Sequence, residues 1–330
     1  MNEPPPTTIP PEQVTLAIEG WNASDLQSPE LMQRSLRSLA AQSLPLDGCR
    51  ILIFVAAGTP EDQAARMREI LPRAEIILVP AATYYRLKNR GLVAATDEFL
   101  VFADSDVHYE REWLQELLAC FSDGVDLVVG NTQYEPGFLA RTLSLCDWAA
   151  TRLDCGPTDW FYGNNLAIRR TLIDRIRFRD DLGISGGGAV NVLRDQLPAM
   201  HVQPWFCADA RGWHHVAPFF PKRIRVGGYQ IQYRQMAPET AWAWLARLPL
   251  LAPFLVTAGT TVRSWQRAWR LRSTLPGKGL TFPFYLASIA AVKAVEWIGA
   301  ALVAWMPAYV SRRFGWFDVP PEPGNAPRPA

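Results

Sequence analysis

The sequence predicts an α/β fold, with a mostly parallel central sheet flanked by helices and a C-terminal membrane-associated helical segment. Three observations carry that expectation. Short β-rich runs alternate with helical patterns through the first half of the chain. Hydrophobic residues make up 49% and charged residues 20% of the 330, the range of a protein with a sizeable core. Beyond Met236 the composition turns to tryptophan, leucine, alanine and arginine.

The elements follow in order. Val14 to Ile18 reads as a first strand. Ser28-Pro29-Glu30 then starts a helix, with a capping hydroxyl, proline at the first helical position and an acid in the first turn. Leu31, Ser35, Leu36, Leu39 and Ala40 repeat at helical spacing. Arg50 to Ala56 is a second strand, and Thr59-Pro60-Glu61-Asp62 opens a second helix in the same way. Glu75 to Val79 is a third strand, followed by a helix to about Ala95. Phe99 to Ala103 is a fourth strand, Glu110 to Phe121 a helix and Val125 to Val129 a fifth strand. Strands separated by helices of this length require right-handed crossovers, and ligands of such sheets bind beyond the carboxyl ends of the strands.

The bulk properties exclude several classes. A formal net charge of +1 gives no global attraction to nucleic acid. Five cysteines, Cys49, Cys120, Cys146, Cys155 and Cys207, are scattered without Cys-x-x-Cys spacing, which argues against a disulfide framework or a zinc site. Met1 to Pro11 is proline-rich and lacks the basic start and apolar run of an export signal. Residues 1–12 and 319–330 are expected to be disordered ends, 13–235 an α/β domain and 236–318 a helical membrane-associated segment.

The segment Glu98-Phe-Leu-Val-Phe-Ala-Asp104-Ser105-Asp106 runs an apolar strand straight into two carboxylates. At the end of an extended strand, residues i and i+2 face the same way, so Asp104 and Asp106 can converge on one ligand. A hard divalent cation bridging to phosphate oxygens relieves their mutual repulsion. The competing reading makes Asp106 the cap of the following helix.

At this point the chain resembles the inverting family 2 glycosyltransferases, which have a GT-A fold. Val14-Thr-Leu-Ala-Ile-Glu19-Gly20-Trp21-Asn22 looks like the family's first strand and nucleoside loop. Arg34 to Gln42 is similar to its first helix, and Lys88-Asn89-Arg90-Gly91 with Ala94 to Glu98 to the helix before the Asp-x-Asp strand. Tyr162-Gly163-Asn164-Asn165-Leu166 resembles the acceptor-side loop. The resemblance implies a hexosyltransferase-like enzyme taking a sugar from a UDP or GDP donor to a glycan or lipid-linked acceptor, with inversion. By the same resemblance Glu19, Asn22, Asn89, Asp104, Ser105 and Asp106 contact the donor, and Gly163, Asn164 and Asn165 the acceptor. Asp106 would hold Mn²⁺ or Mg²⁺ on the diphosphate, with His214 or His215 as a further ligand.

Two departures stand out. The family's catalytic acid belongs to a Glu-Asp pair, where this chain reads Gly186-Gly187-Gly188-Ala189-Val190-Asn191. The nearest acids are Asp180, Asp181 and Asp195, of which Asp181 and Asp195 are the candidate bases. The second strand ends in Ala56-Ala57-Gly58-Thr59, without the aspartates that contact a nucleobase. These departures admit an alternative, a noncatalytic nucleotide- or glycan-binding scaffold in a membrane assembly. A soluble nucleotidyltransferase ranks last, because Glu19-Gly20-Trp21-Asn22 is no glycine-rich basic phosphate loop.

Between Ala241 and Val310 there are seven basic residues and one acid. Phe282 to Val310 is long enough to cross a bilayer but carries Lys293 and Glu296, an i, i+3 pair that can neutralise itself. Arg263, Arg267, Arg270 and Arg272 interleave with Trp265 and Trp269, the mixture of a helix lying at the headgroup layer. The expected location is the cytoplasmic face of the cell membrane, in polysaccharide or other cell-envelope synthesis.

Overall fold

The computed structural model describes residues 9–21, 29–122, 124–147, 154–182, 188–215, 219–238, 240, 242–276 and 280–314. Asn22 and the proline-rich ends at 1–8 and 315–330 therefore lie outside the described residues. The expected N-terminal lead is shorter than its sequence suggests. Ile9 is buried, and Pro11–Gln13 forms a 3-10 turn that leads into the first strand.

The first half alternates as its patterning requires. Strands β1 (Val14–Glu19), β2 (Arg50–Ala56), β3 (Glu75–Val79) and β4 (Phe99–Asp104) are separated by helices α1 (Pro29–Ala40), α2 (Glu61–Ile70) and α3 (Tyr84–Ala94). All three pairings among these strands are parallel. The run continues with β5 (Val107–Tyr109), α4 (Trp113–Ala119), β6 (Leu127–Tyr134), α5 (Phe138–Asp147), β7 (Gly156–Pro157), β8 (Asn165–Arg169) and the short α6 (Arg170–Ile173). Helix α7 (Gly188–Gln196), strand β9 (Trp205–His214) and helices α8 (Phe219–Met236), α9 (Ala252–Arg270), α10 (Phe282–Trp305) and α11 (Pro307–Phe314) complete the described chain.

The sheet order is β3-β2-β1-β4-β8-β6-β9-β5, with β7 added to β9. The second half mixes directions. β8 runs antiparallel to both β4 and β6, whereas β6 and β9 are parallel. Side-chain alternation splits the core into two layers. On β4, Leu100 and Phe102 join one layer, under Leu87 and Leu92 of α3. Phe99, Val101 and Ala103 join the other, under Leu36 and Leu39 of α1. Each large side chain buried this fully contributes roughly 1.5–3 kcal/mol. Asp104 continues the alternation of Leu100 and Phe102, so its side chain emerges on the α3 side of the sheet.

Two differences from the sequence reading have local causes. β5 is only three residues long and is held by pairing with β9, so no apolar period announces it. Cys120, Cys155 and Cys207 bring their Sγ atoms within 4.8 Å of one another, although their spacing gave no hint of a cluster. They come from the end of α4, the segment before β7 and strand β9, which only the tertiary fold unites.

Helix α10 is the one described helix long and apolar enough to cross a membrane. It packs along α8 through glycines: a Cβ on Gly299 would lie 1.7 Å from the Ile224 carbonyl oxygen, and one on Gly227 would lie 1.7 Å from that of Glu296. The backbones touch there. The Lys293–Glu296 pair expected from the sequence forms, at 2.7 Å, and extends through Arg223 to Asp147 on α5.

Candidate active site

The carboxyl end of β4 opens on a cleft of about 440 Å³ lined by Asp104 and Asp106 on one side and by α7, α8 and α9 on the other. Asp104 is buried, and both of its oxygens are engaged. Lys88 Nζ lies 2.7 Å from Oδ1, and the Tyr84 hydroxyl donates to Oδ2 at 2.8 Å. Lys88 is itself fully enclosed, with its ammonium over the rings of Tyr84 and Phe102. Helical spacing places Tyr84 and Lys88 one turn apart on the face of α3 that covers β4. Burial raises the Asp104 carboxyl above its ordinary value; Lys88 opposes that shift and Asp106 adds to it.

The backbone here is held as firmly as the side chains. The Tyr109 hydroxyl donates to the Asn164 carbonyl oxygen at 2.7 Å and accepts from the Asp104 amide at 2.8 Å. Ser35 of α1 donates to the Asp104 carbonyl oxygen, and the Ser105 amide donates to that of Glu19. Asp106 sits two residues beyond the strand end and faces His214, the last residue of β9, with Nε2 3.3 Å from Oδ2. The β5–β9 ladder makes that meeting possible, pairing Val107 with His214. His214 Nδ1 lies 2.7 Å from the His215 carbonyl oxygen, so the ring is held with Nε2 toward the Asp106 carboxylate. One carboxylate and one imidazole brought this close form a donor set whose chemistry fits a divalent metal. His215 turns elsewhere, its Nδ1 3.7 Å from Glu135.

Glu19 ends β1 directly beside Asp104 in the ladder. One of its carboxylate oxygens accepts from the Trp21 amide; the other is buried with no hydrogen-bond partner. Burial, followed by the nearby charge of Asp104, raises its carboxyl well above the ordinary range.

The other expected site residues divide. Gly163 and Asn164 line the cleft. A Cβ on Gly163 would lie 3.1 Å from Lys88 Cε and 3.2 Å from the Tyr84 hydroxyl, so only glycine fits without displacing the Asp104 supports. Asn165 instead braces the sheet, accepting from the Trp113 indole at 2.8 Å and donating to the Ala210 carbonyl oxygen. Asn89 is used in the same way. Its amide exchanges two hydrogen bonds with the backbone of Phe178 and does not line the cleft. Ser105 is fully buried behind the site.

The two candidate bases are turned away. Asp181 pairs with Arg179 at 2.6 Å, which holds its carboxyl below the usual range, and Asp195 pairs with the adjacent Arg194. Neither lines the cleft. The sequence reading also missed the cleft's positive wall. Arg263 and Arg267, assigned above to lipid headgroups, line the cleft beside Arg194 and Arg234, whereas Arg272 stacks outside on Trp269. Helical spacing showed that Arg263 and Arg267 share a face, but not what that face meets.

Residues 26–176 match the family model described as Glycosyl transferase family 2. That segment is similar to the domains of this family. It contains Asp104, Asp106, Lys88 and the Gly163–Asn164 loop, while His214 and the arginines follow it in the sequence. The glycosyltransferase fold recurs in a mannosyltransferase from Pyrobaculum calidifontis, PcManGT, solved in complex with GDP-Man and Mn2+. That structure is 18% identical, with a TM-score of 0.56, over 95% of this chain and 91% of the other. S. aureus TarS 1-349 in complex with UDP aligns at 14% identity and a TM-score of 0.47, over 86% of this chain and 90% of that one. No curated protein matches the sequence. The shared architecture is GT-A.

Proposed function

We propose that this protein is an inverting, metal-assisted hexosyltransferase. It takes a sugar from a UDP- or GDP-linked donor to a lipid-linked or envelope-glycan acceptor at the cytoplasmic membrane face. The single observation that carries the reading is the meeting of Asp106 and His214 at the open end of β4, beside the Asp104 carboxylate. In this reading residues 13–235 hold the donor and residues 236–318 bring the helices that close the cleft and meet the membrane.

Asp106 and His214 would hold Mn²⁺ or Mg²⁺. When bound, such an ion supplies Lewis-acid neutralisation of charge on the departing diphosphate. The chain's own residues do the rest. Lys88 and Tyr84 fix Asp104 so that its carboxylate faces the donor without a rotamer search, an orientation set before binding. Glu19 closes the nucleoside side beside Trp21. Gly163 keeps the loop against Lys88, and Asn164 presents the acceptor edge. Nucleoside diphosphate release that depends on donor, divalent metal and acceptor tests the activity, and anomeric analysis of the product tests inversion.

A second reading, a noncatalytic donor-binding scaffold, draws its support from the loop before α7, which carries glycines in place of an acid. Calorimetry that detects donor binding without turnover across a broad acceptor panel would select it.

A further inference from the structure

The part of the cleft lining supplied by α8 and α9 is rich in cations, and several of them have no matching acid. Arg223 and Lys293 line the cleft but are already engaged, in ion pairs with Asp147 and Glu296. Arg234, Arg263 and Arg267 are different. None of the three forms an ion pair with a carboxylate among the described residues. Arg234 is buried, donates through one terminal nitrogen to Gln230, lies over the Tyr233 ring 4.4 Å from its centroid, and leaves its Nε without a hydrogen-bond partner. Arg267 bonds to the Leu145 carbonyl oxygen, and Arg263 to that of Gly259. Burial pulls the Arg234 and Arg267 guanidiniums below their ordinary value, and the charge of Arg263 disfavours both. Arg263 is exposed, but Arg234 is buried and Arg267 half-buried without an ion-pair partner, a charge that an anion would compensate.

The donor does not account for this wall. Its diphosphate belongs with Asp106 and His214, at the carboxylate end. A second observation concerns what the cleft lacks. Three acids line it among the described residues, and each is occupied. Asp104 is held by Lys88 and Tyr84, Asp106 faces His214, and Asp147 is gripped by both terminal nitrogens of Arg223 and by Tyr134. The stretch 186–191, where a base is expected, reads Gly-Gly-Gly-Ala-Val-Asn. A hydroxyl acceptor needs its proton removed. An acceptor that arrives ionised does not.

We infer that the acceptor is a phosphate monoester, seated on Arg234, Arg263 and Arg267, whose own oxygen is the nucleophile. This rests on the glycosyl-transfer reading above and names its acceptor. A phosphate-monoester oxygen forms the bond to the donor's anomeric carbon as the bond from that carbon to the β-phosphate oxygen breaks. The electron pair leaves on the nucleoside diphosphate. The dianionic monoester becomes a monoanionic diester, the leaving diphosphate takes up the charge, and no proton moves. A monoester with a second pKa of about 6 is largely dianionic at neutral pH. The cleft lining includes Trp242, itself 60% exposed, whose ring lies 6.4 Å from that of the exposed Trp244, and Leu248, Leu250 and Leu251 of the same segment are exposed as well. That apolar surface suits a prenyl chain carrying the phosphate.

The test uses the full chain in detergent with Mn²⁺ and whichever UDP- or GDP-sugar it binds by calorimetry. The acceptors are undecaprenyl phosphate, undecaprenol, glycerol 3-phosphate and a panel of glycan hydroxyls. The expected product is a sugar–phosphate–prenyl diester, formed with undecaprenyl phosphate and not with undecaprenol. Turnover of glycerol 3-phosphate at an equal rate would keep the phosphate and remove the lipid. Arg234→Gln and Arg263→Gln should raise KM for the phosphate acceptor by roughly tenfold to a hundredfold, the scale of a lost charge-assisted hydrogen bond, with donor affinity unchanged. Transfer to undecaprenol or to glycan hydroxyls while phosphates are ignored overturns the inference and leaves glycosyl transfer standing; so does donor binding with no use of any phosphate. If no donor binds, the glycosyl-transfer reading fails instead. Binding of undecaprenyl phosphate to the protein alone, followed by tryptophan fluorescence in both arginine variants, then decides the phosphate site by itself.

Discussion

His214 closes on Asp106 from the far edge of the sheet, Nε2 to Oδ2 3.3 Å, and joins two residues 108 positions apart into one donor set. The contact depends on β5 pairing with β9, so the proposed cation site is a property of the ladder and not of the Asp-x-Asp segment alone. His214→Ala should leave the fold intact and raise the Mn²⁺ concentration for half-maximal activity by at least about tenfold, the scale for losing even a supporting partner of a metal. His215→Ala should change it little, since that ring points to Glu135. A Mn²⁺ titration of donor-dependent nucleoside diphosphate release separates the two.

Lys88→Met removes the ammonium that compensates a buried carboxylate. Breaking one partner of a buried pair costs roughly 3–5 kcal/mol, because the other charge is left in the low-dielectric interior. Chemical denaturation should show that loss. Asp104→Asn combined with Lys88→Met should recover much of it, since no unpaired charge then remains. A double variant no more stable than Lys88→Met would show that the pair is not coupled.

Glu19 gives a pH dependence whose sign can be worked out. Its folded-state value is raised above the ordinary 4.5, so between 4.5 and the raised value the folded protein binds the extra proton and the unfolded chain does not. Stability of the metal-free protein must then fall as pH rises through that window. Glu19→Gln keeps an acceptor for the Trp21 amide and removes the ionisation. Thermal unfolding between pH 5 and about pH 8 should show a flatter profile for the variant and a higher Tm at the alkaline end.

The α8–α10 contact makes a steric prediction. At Gly299 a methyl group would meet the Ile224 carbonyl oxygen at 1.7 Å, an atom that cannot swing aside. Gly299→Ala should cost roughly 1–3 kcal/mol, the range for overpacking, despite alanine's better helix propensity. Because α8 also carries Arg223 and Arg234, the same variant should weaken acceptor use at temperatures where it is still folded.

The sequence displays the parallel half of the fold clearly, and the reason is physical. β1, β2 and β4 are buried on both faces, so their apolar runs are continuous; α2 carries Glu61 and Asp62 in its first turn, although the Thr59 hydroxyl does not cap it and Pro60 takes the cap position, and α3 is capped by Thr83. Asp104 and Asp106 are legible for the same reason, as acids at the end of an apolar run. Lys88 is visible in the sequence as part of a family-like segment, but not as a fully buried cation, since lysine on a helix ordinarily reads as solvated. The mixed half of the sheet is set by pairings between β4, β8, β6 and β9 that are distant in sequence, and register of that kind leaves no local trace. The arginines were misplaced because periodicity groups Arg263 with Arg267 without saying whether their shared face meets lipid or a cleft. Asp181 and Asp195 were chosen by proximity to the missing acid, and their arginine neighbours only become visible in three dimensions.

The most direct test of the account is nucleoside diphosphate release by Asp106→Ala, measured with donor, acceptor and saturating Mn²⁺ in a variant shown to be folded. The account predicts that release falls to background while the thermal midpoint stays near that of the parent protein. Release at the parental rate from that variant would contradict it.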